Sequence, residues 1–226
     1  MKLSIIIPVL NEAGRIAVAL IALQPLRERG AEILVVDGGS TDGTAEIAAR
    51  GADHVVHAPC GRASQQNAGA RQALGDTFLF LHSDTQLPLD ADSLIADALS
   101  DVAAQWGHFD VRFDTNQPVL RLVAAMMNAR SRLTGIATGD QCIFVRRGAF
   151  EAVGGFPAIE LMEDIAMSRV LGRRSAPHCL RNKVTTSARR WQHNGVWRTI
   201  FLMWWLRFAY ALGVSPARLA RWYSQS

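Results

Sequence analysis

Short, unbroken apolar runs alternate with stretches of helical periodicity through the first eighty residues of the chain. Ser4–Val9 (SIIIPV) is a β-branched run that ends at the polar pair Asn11-Glu12. Ile16, Leu20 and Leu23 then recur on one helical face until Gly30 stops the pattern. Glu32–Val36 (EILVV) is a second run, closed by the turn Asp37-Gly38-Gly39-Ser40-Thr41-Asp42-Gly43. Thr44–Arg50 reads as a helix, His54–His57 as a short strand, Ala63–Leu74 as a helix and Thr77–Leu81 (TFLFL) as a third fully apolar strand. Runs that are apolar at every position belong in a parallel sheet covered on both faces, where the intervening helices supply the cover. The second half is less regular. Trp106–Phe113 alternates and predicts a half-exposed antiparallel strand. Val119–Leu133 predicts a helix, Gln141–Arg146 a strand and Leu161–Leu171 a helix opened by acidic residues, with further helices from Val196 and from Pro216. The expected architecture is α/β: a Rossmann-like, mostly parallel sheet flanked by helices, with a C-terminal helical appendage. The expected division is 1–190 for the main domain and 191–226 for a basic, Trp-rich tail.

Charge sharpens that division. The chain has 226 residues, 49% of them apolar and 19% charged, which excludes a disordered protein and leaves ample material for a core. All 20 Asp and Glu lie within residues 1–164, together with 13 of the 24 Lys and Arg; residues 165–226 hold the other 11 basic residues and five of the six Trp. Three separated cysteines (Cys60, Cys142, Cys179) without a CxxC give neither a disulfide framework nor a zinc site, and fit a reducing cytoplasm. The run Leu3–Leu10 is too short to span a bilayer and has no cleavage site after it, so it reads as a buried strand and not a signal peptide. Val196–Val214 approaches spanning length, but Arg198 and Arg207 interrupt it. A central Arg costs roughly 2.5–3.5 kcal/mol on insertion scales. Nine residues apart, those arginines fall on opposite helix faces, so the segment is not a clean amphipath. It either packs through Phe201, Leu202, Trp205 and Phe208 on the domain or a second copy of the chain, or lies on an anionic membrane surface through residues 196–222. Basic charge without a recognisable module gives no reason to expect nucleic acid.

Four polar clusters follow apolar runs: Asn11-Glu12, Asp37, His82-Ser83-Asp84 and, opening a helix, Glu163-Asp164. In a parallel sheet such strand ends converge on one edge, where ligands bind. Carboxylates gathered there repel one another unless a cation, a basic side chain or sugar hydroxyls lie between them. Each residue also has a plain reading. Asn11, Thr41 and Asp42 suit helix caps, Gly38, Gly39 and Gly43 suit turn geometry, and Glu163-Asp164 suits a helix N-terminus. The glycine spacing is not GxGxxG, so a dinucleotide fingerprint is absent.

Taken together and in order, IIIPVLNE (5–12), VVDGGSTDGT (35–44), GRASQQNAGARQALGD (61–76), FLHSDT (80–85), GGFP (154–157) and MEDIAMSRVL (162–171) resemble the motifs of family 2 glycosyltransferases, inverting enzymes of GT-A fold that use nucleotide sugars. HSDT in place of the usual aspartate-rich element, and RRW near the C-terminus, are most similar to the arsenosugar-biosynthesis-type subgroup. The resemblance implies a role for each matched residue. Pro8, Leu10 and Glu12 would line the nucleoside pocket, Glu12 toward the ribose, and Asp37 would accept the N–H of a uracil-type base. Arg62, Gln65 and Gln66 would lie along the base and phosphates. Asp84 would hold Mg²⁺ or Mn²⁺ against the diphosphate. Asp164 would be the general base, with Glu163 contacting the acceptor. Arg190 and Trp191 match the end of a QxxRW element in which Ser187 replaces Gln, and Arg189 and Arg190 could close over the diphosphate.

The first carboxylate of the family's Asp-x-Asp is His82 here. That histidine could bond ribose or phosphate with Ser83 beside it, ligate a metal, or be satisfied by backbone. His193 is a candidate further ligand. The implied reaction moves a sugar from a nucleotide-sugar donor, a UDP-sugar first, to a small or lipid-linked hydroxyl acceptor, in the cytoplasm or on the cytoplasmic face of a membrane. Two other readings compete. A nucleotidyltransferase would open with a glycine-rich loop ending in Arg and Lys, which Leu10–Arg15 does not match. A non-catalytic nucleotide-sugar binder would not need Asp84 and Asp164 together.

Overall fold

A computed structural model describes residues 1–224. Eight strands form one sheet: β1 (Leu3–Val9), β2 (Glu32–Asp37), β3 (His54–His57), β4 (Thr77–Phe80), β5 (Thr85–Gln86), β6 (Trp106–Phe113), β7 (Phe144–Arg146) and β8 (His178–Thr186), in the order β3-β2-β1-β4-β7-β6-β8-β5. The first four in that order are mutually parallel; β7 runs antiparallel to β4 and β6, β8 is parallel to β6, and β5 closes the edge antiparallel to β8. The helices are α1 (Ala13–Glu28), α2 (Thr44–Ala48), α3 (Arg62–Gln72), α4 (Ala91–Ala98), α5 (Pro118–Thr134), α6 (Arg147–Ala152), α7 (Glu163–Gly172), α8 (Arg189–Asn194), α9 (Val196–Ala211) and α10 (Pro216–Ser224).

The unbroken apolar runs are explained by two cores, one on each face of the sheet. Ile5, Ile7 and Val9 of β1 point toward Ile16, Leu20 and Leu23 of α1, whereas Ile6 points the other way toward Ala63 and Ala70 of α3. All three β1 isoleucines are fully buried, each worth about 1.5–3 kcal/mol of hydrophobic stabilisation. The helix α3 is rich in small residues because it lies very close to the sheet. A Cβ on Gly69 would come within 2.6 Å of Ile6 and 2.8 Å of Val36.

The half-exposed antiparallel strand expected at Trp106–Phe113 is instead an interior strand. Every residue of β6 except Arg112 is buried, and its longer pairing, with β8, is parallel. Its polar alternates find partners inside the protein, although His108 Nε2 and Asp110 Oδ1 have none among the described residues. Asp110 pairs with Arg132, the Asn128 side chain bridges both backbone groups of Val111, and His108 Nδ1 lies 3.0 Å from the Phe109 carbonyl. Burial lowers the His108 pKa, favouring the neutral ring. The strand expected from Gln141 begins only at Phe144, because Gly139–Gln141 is a 3-10 turn closed by a Thr138–Gln141 capping box.

The tail helices run as expected from Val196 and Pro216, but the packing face of α9 differs. Thr199, Leu206 and Ala209 are buried, and Leu206 and Ala209 join Leu219 of α10 against Met162 and Ile165. Of the residues expected to pack, Leu202 is partly buried against this cluster, while Phe201, Trp205 and Phe208 are exposed at 55–70% and do not pack on the domain. The inward face repeats every three to four residues around Leu206, and Arg207 beside it points into a cavity while Arg198 faces outward. Among the described residues no helix is long and apolar enough to cross a membrane.

Candidate active site

The loops after β1 and β2 are stitched to each other. Asn11 does not cap α1. Its side-chain oxygen accepts the Thr41 N–H at 2.9 Å, and its own N–H donates to Ser40 Oγ at 2.9 Å. Asp42 serves two helices, accepting the first N–H of α1 from Ala13 and the first of α2 from Thr44. The Thr44 hydroxyl accepts the Glu12 N–H at 2.8 Å, and the Glu12 carboxylate meets Arg15 at 3.3 Å. Asp37, 2% exposed, accepts the N–H groups of Gly39 and Ser40 at 3.0 Å, with His57 at 3.7 Å. Burial pushes its pKa up, but the bonds from Ser40 and Gly39 and the His57 charge outweigh that and hold it below the usual range. Gln65 is also committed. Its Nε2 donates to the carbonyls of Val9 and Val36, both at 2.8 Å, bracing the ends of β1 and β2. Gln66 is buried, with an Oε1 that has no hydrogen-bond partner among the described residues. Pro8 is half-buried on β1, and Leu10 is exposed beyond it.

The second cluster gathers at the start of α7. Met162 adopts a left-handed backbone (φ 70°) and delivers Glu163 and Asp164 into the first turn. Asp164 accepts the Gly139 N–H at 2.6 Å and the Ile165 N–H at 2.7 Å. Glu163 is buried, 3.8 Å from Arg62 at the head of α3. Burial and the neighbouring Asp164 raise its pKa, against a smaller opposing effect of Arg62. His82 packs closely against Gly139, where a Cβ would fall 2.5 Å from its ring, and its Nδ1 lies 3.6 Å from Asp140. Burial would raise the Asp140 pKa, but the His82 hydrogen bond and the charges of His82, Arg62 and Arg190 hold it down.

These groups line a cavity of about 600 Å³ between the sheet edge and the tail. Arg62, His82, Asp140, Glu163, Asp164, Arg190 and Trp191 all contribute, while α5 and α9 add Arg130, Arg207 and an apolar wall. Trp191 also packs edge-on against Phe113 at 5.5 Å, tying α8 to the sheet. Arg190 lies 4.4 Å over the Tyr223 ring, and dehydration and the like charge of Arg62 lower its pKa. Pro8, Leu10, Glu12, Asp37, Gln65, Gln66, Ser83, Asp84 and His193 do not line this cavity.

Asp84 belongs to the turn before β5, and its charge, like that of Asp140, acts on Arg190 and on buried Cys142. A divalent ion on a diphosphate takes most ligands from phosphate and water and needs only one or two carboxylates. Asp84 and Asp140, with His82 beside the latter, supply such hard donors. Among the described residues no group of three or more His, Cys, Asp or Glu forms a ready-made metal site. The two carboxylates would suit an ion that completes its shell from phosphate and water.

Among the charged residues of the cavity, Arg130, Asp140 and Arg207 escaped the sequence reading as site residues, and so did Gly139. Only Thr-Gly-Asp-Gln carried a signal, a glycine before two polar residues ahead of an apolar run.

The glycosyl transferase family 2 model matches residues 4–154, which contain the stitched loops, His82, Asp84 and Asp140. The chain belongs to glycosyl transferase family 2. Solved structures with the same fold include a mannosyltransferase from Pyrobaculum calidifontis in complex with GDP-Man and Mn²⁺ (TM-score 0.70, 21% identity, 97% of this chain and 68% of that one). They also include residues 1–349 of S. aureus TarS (TM-score 0.65, 18% identity, 83% and 61%). A third is glucosyl-3-phosphoglycerate synthase from Mycobacterium tuberculosis with Mn²⁺, UDP and glucosyl-3-phosphoglycerate (TM-score 0.61, 19% identity, 82% and 70%). The chain thus spans about three-fifths of the TarS fragment's length. No curated protein matches it in sequence. At these identities the likeness is one of fold: the mostly parallel, helix-flanked GT-A sheet expected from the sequence.

Proposed function

We propose that this family 2 protein is an inverting glycosyltransferase that moves a sugar from a nucleotide-sugar donor, a UDP-sugar first, to a hydroxyl acceptor. The observation that carries the reading is Asp164, a carboxylate fixed by two backbone N–H groups at the wall of a cavity large enough for an acceptor. Asp164 takes the proton of the acceptor hydroxyl as its oxygen attacks the anomeric carbon, and the bond from that carbon to the diphosphate breaks on the opposite face. Both Asp164 oxygens are oriented by backbone, so the base is positioned before substrate arrives. Glu163 contacts the acceptor.

On the donor side, Asp37 accepts from the base, while Pro8, Leu10 and Glu12 line the nucleoside and Gln65 and Gln66 support its floor. Arg62 and the pair Arg189 and Arg190 lie toward the diphosphate, with Trp191 anchoring the helix that carries them. His82 and Ser83 complete that rim. Asp84 would hold Mg²⁺ or Mn²⁺, with His193 as a candidate further ligand, and the ion when bound would offset the charge of the departing diphosphate. The arsenosugar-type subgroup is the nearest motif likeness. The division at residue 190, a cytoplasmic location, and contact of residues 196–222 with an anionic membrane or a second copy belong to the same proposal. Exposed Trp197, Phe201, Trp204, Trp205 and Phe208 on α9 support such a contact.

The test is turnover of a panel of UDP-sugars by wild type and Asp164→Asn, alongside calorimetric UDP binding with and without Mn²⁺. The variant is expected to keep UDP affinity and lose about 10²–10⁴-fold in turnover. Near-normal turnover would remove Asp164 as the base, and a UDP affinity indifferent to Mn²⁺ would remove the metal.

A further inference from the structure

The donor reading leaves two cavity cations without a role. Arg130 of α5 and Arg207 of α9 line the cavity together with Asp164. Neither makes an ion pair within 4.0 Å among the described residues. Arg130 donates from Nη2 to the Ile136 carbonyl at 3.3 Å, but its buried Nε has no partner there. Burial and the like charge of Arg207 push the Arg130 pKa down to about 10, and burial lowers that of Arg207 as well. Two partly dehydrated guanidinium groups that repel each other are costly unless an anion joins them. Asp164 is the carboxylate that acts on both, yet its oxygens already accept backbone N–H groups.

This pair differs from the cations of the donor side in the carboxylate it shares. Arg62 and Arg190 both act on Asp140, whereas Asp164 acts on both Arg130 and Arg207, Arg207 also feeling Asp140. Around the second pair the wall is apolar, built from Met126, Met127, Ile200, Met203 and Trp204. Met126 and Trp204 are also exposed, so that wall runs out to the surface of the molecule.

We infer that Arg130 and Arg207 form an anion-binding subsite beside Asp164, and that the acceptor is an amphipathic organic anion: a hydroxyl-bearing phosphate monoester or carboxylic acid whose apolar body follows the methionine wall. The planar guanidinium groups would bind its oxyanion through paired N–H donors. The identification as an acceptor rests on the proposed transferase reading; the anion subsite itself rests on the cavity.

Calorimetric titration of the full chain with n-octyl phosphate, inorganic phosphate and 1-octanol, with and without saturating UDP, tests it. Octyl phosphate is expected to bind at least tenfold more tightly than either fragment probe, with UDP present or absent. Arg130→Gln and Arg207→Gln should each weaken it at least tenfold, Arg130→Lys by less, and UDP affinity should not change. The inference is overturned if octanol binds as tightly as octyl phosphate, if UDP displaces octyl phosphate, or if correctly melting Gln variants bind it like wild type. A wild type that binds octyl phosphate but not UDP upholds the subsite and refutes the donor reading. One that binds UDP but not octyl phosphate refutes the subsite alone.

Discussion

The two polar regions of this molecule solve opposite problems. At the ends of β1 and β2, the side chains of Asn11, Asp37, Asp42, Thr44 and Gln65 hydrogen-bond to the backbones of Thr41, Ser40, Ala13, Glu12 and Val9. In the cavity beneath the tail, Glu163 is buried with a raised pKa, and Arg130 and Arg207 repel each other without an ion-paired carboxylate among the described residues. Apart from the Gln66 Oε1, the first region is hydrogen-bonded without a ligand, and the second is not. A saturated polar network stabilises and rigidifies, whereas an incompletely paired one stores a cost that a ligand can relieve. Substitution should therefore cost stability in the first region, together with donor binding, and chiefly function in the second.

The largest contrast is expected between Asp164→Asn and Gln65→Ala. The Asp164 variant should lose its turnover with a smaller loss of Tm, since the Asn oxygen still accepts one of the two backbone N–H groups. Gln65→Ala removes two buried donors and leaves the Val9 and Val36 carbonyls without them. That should cost about 2–3 kcal/mol, or about 5–10 °C in Tm for a chain of this length, readable by differential scanning calorimetry. A Gln65→Ala protein that melts like wild type would mean that the strand ends are not held this way.

How much of this contrast the sequence reveals depends on what signals each region. The β1, β2 and β4 runs are legible because both faces are buried and no polar residue breaks them. Strand β8 escapes: His178-Cys179-Leu180-Arg181-Asn182-Lys183 is mostly polar and partly exposed, and its strand character comes from pairing with β6. The exposure of β6 is misjudged because His108 and Asp110 look solvent-facing until Asn128, Arg132 and Gln141 are brought against that strand by α5 and the 3-10 turn. The carboxylates of the candidate site are legible because they follow strands or open a helix in a familiar order. Arg130 and Arg207 are not, since an arginine facing a cavity has the same local sequence as one facing water. Arg207 registered only as an interruption in an apolar segment.

A smaller effect should separate the regions at a single hydroxyl. Thr44 is fully buried, and its Oγ1 accepts the Glu12 N–H while donating to Asp42. Thr44→Val keeps the shape and strands that N–H, at a cost of about 1–2 kcal/mol. Chemical denaturation should show a lower midpoint with an unchanged slope. No shift would mean that water replaces the hydroxyl and that the two loops are less tightly joined than their hydrogen bonds indicate.

The smallest effects should appear in the pH dependence of stability, where the two regions differ in sign. Asp37 titrates below its usual 3.8 in the folded protein, because bonds to Ser40 and Gly39 favour the carboxylate. Between its folded value and 3.8 the unfolded chain binds more protons, so stability rises with pH and Asp37's contribution is fully present above that window. Glu163 titrates above its usual 4.5, chiefly through burial and then through Asp164. Between 4.5 and its folded value the native state binds more protons, so this term lowers stability as pH rises, and the penalty is complete once Glu163 is ionised. Asp37→Asn should thus be less stable than wild type at pH 7, with the difference closing as pH falls through the acid window. Glu163→Gln should be more stable than wild type at pH 7, with that difference also closing toward pH 4. Urea midpoints measured from about pH 2 to 7.5 read both curves. A Glu163→Gln protein destabilised at neutral pH would show that the Arg62 contact at 3.8 Å outweighs the burial of that carboxylate, and the cavity would then be as complete without ligand as the loops opposite it.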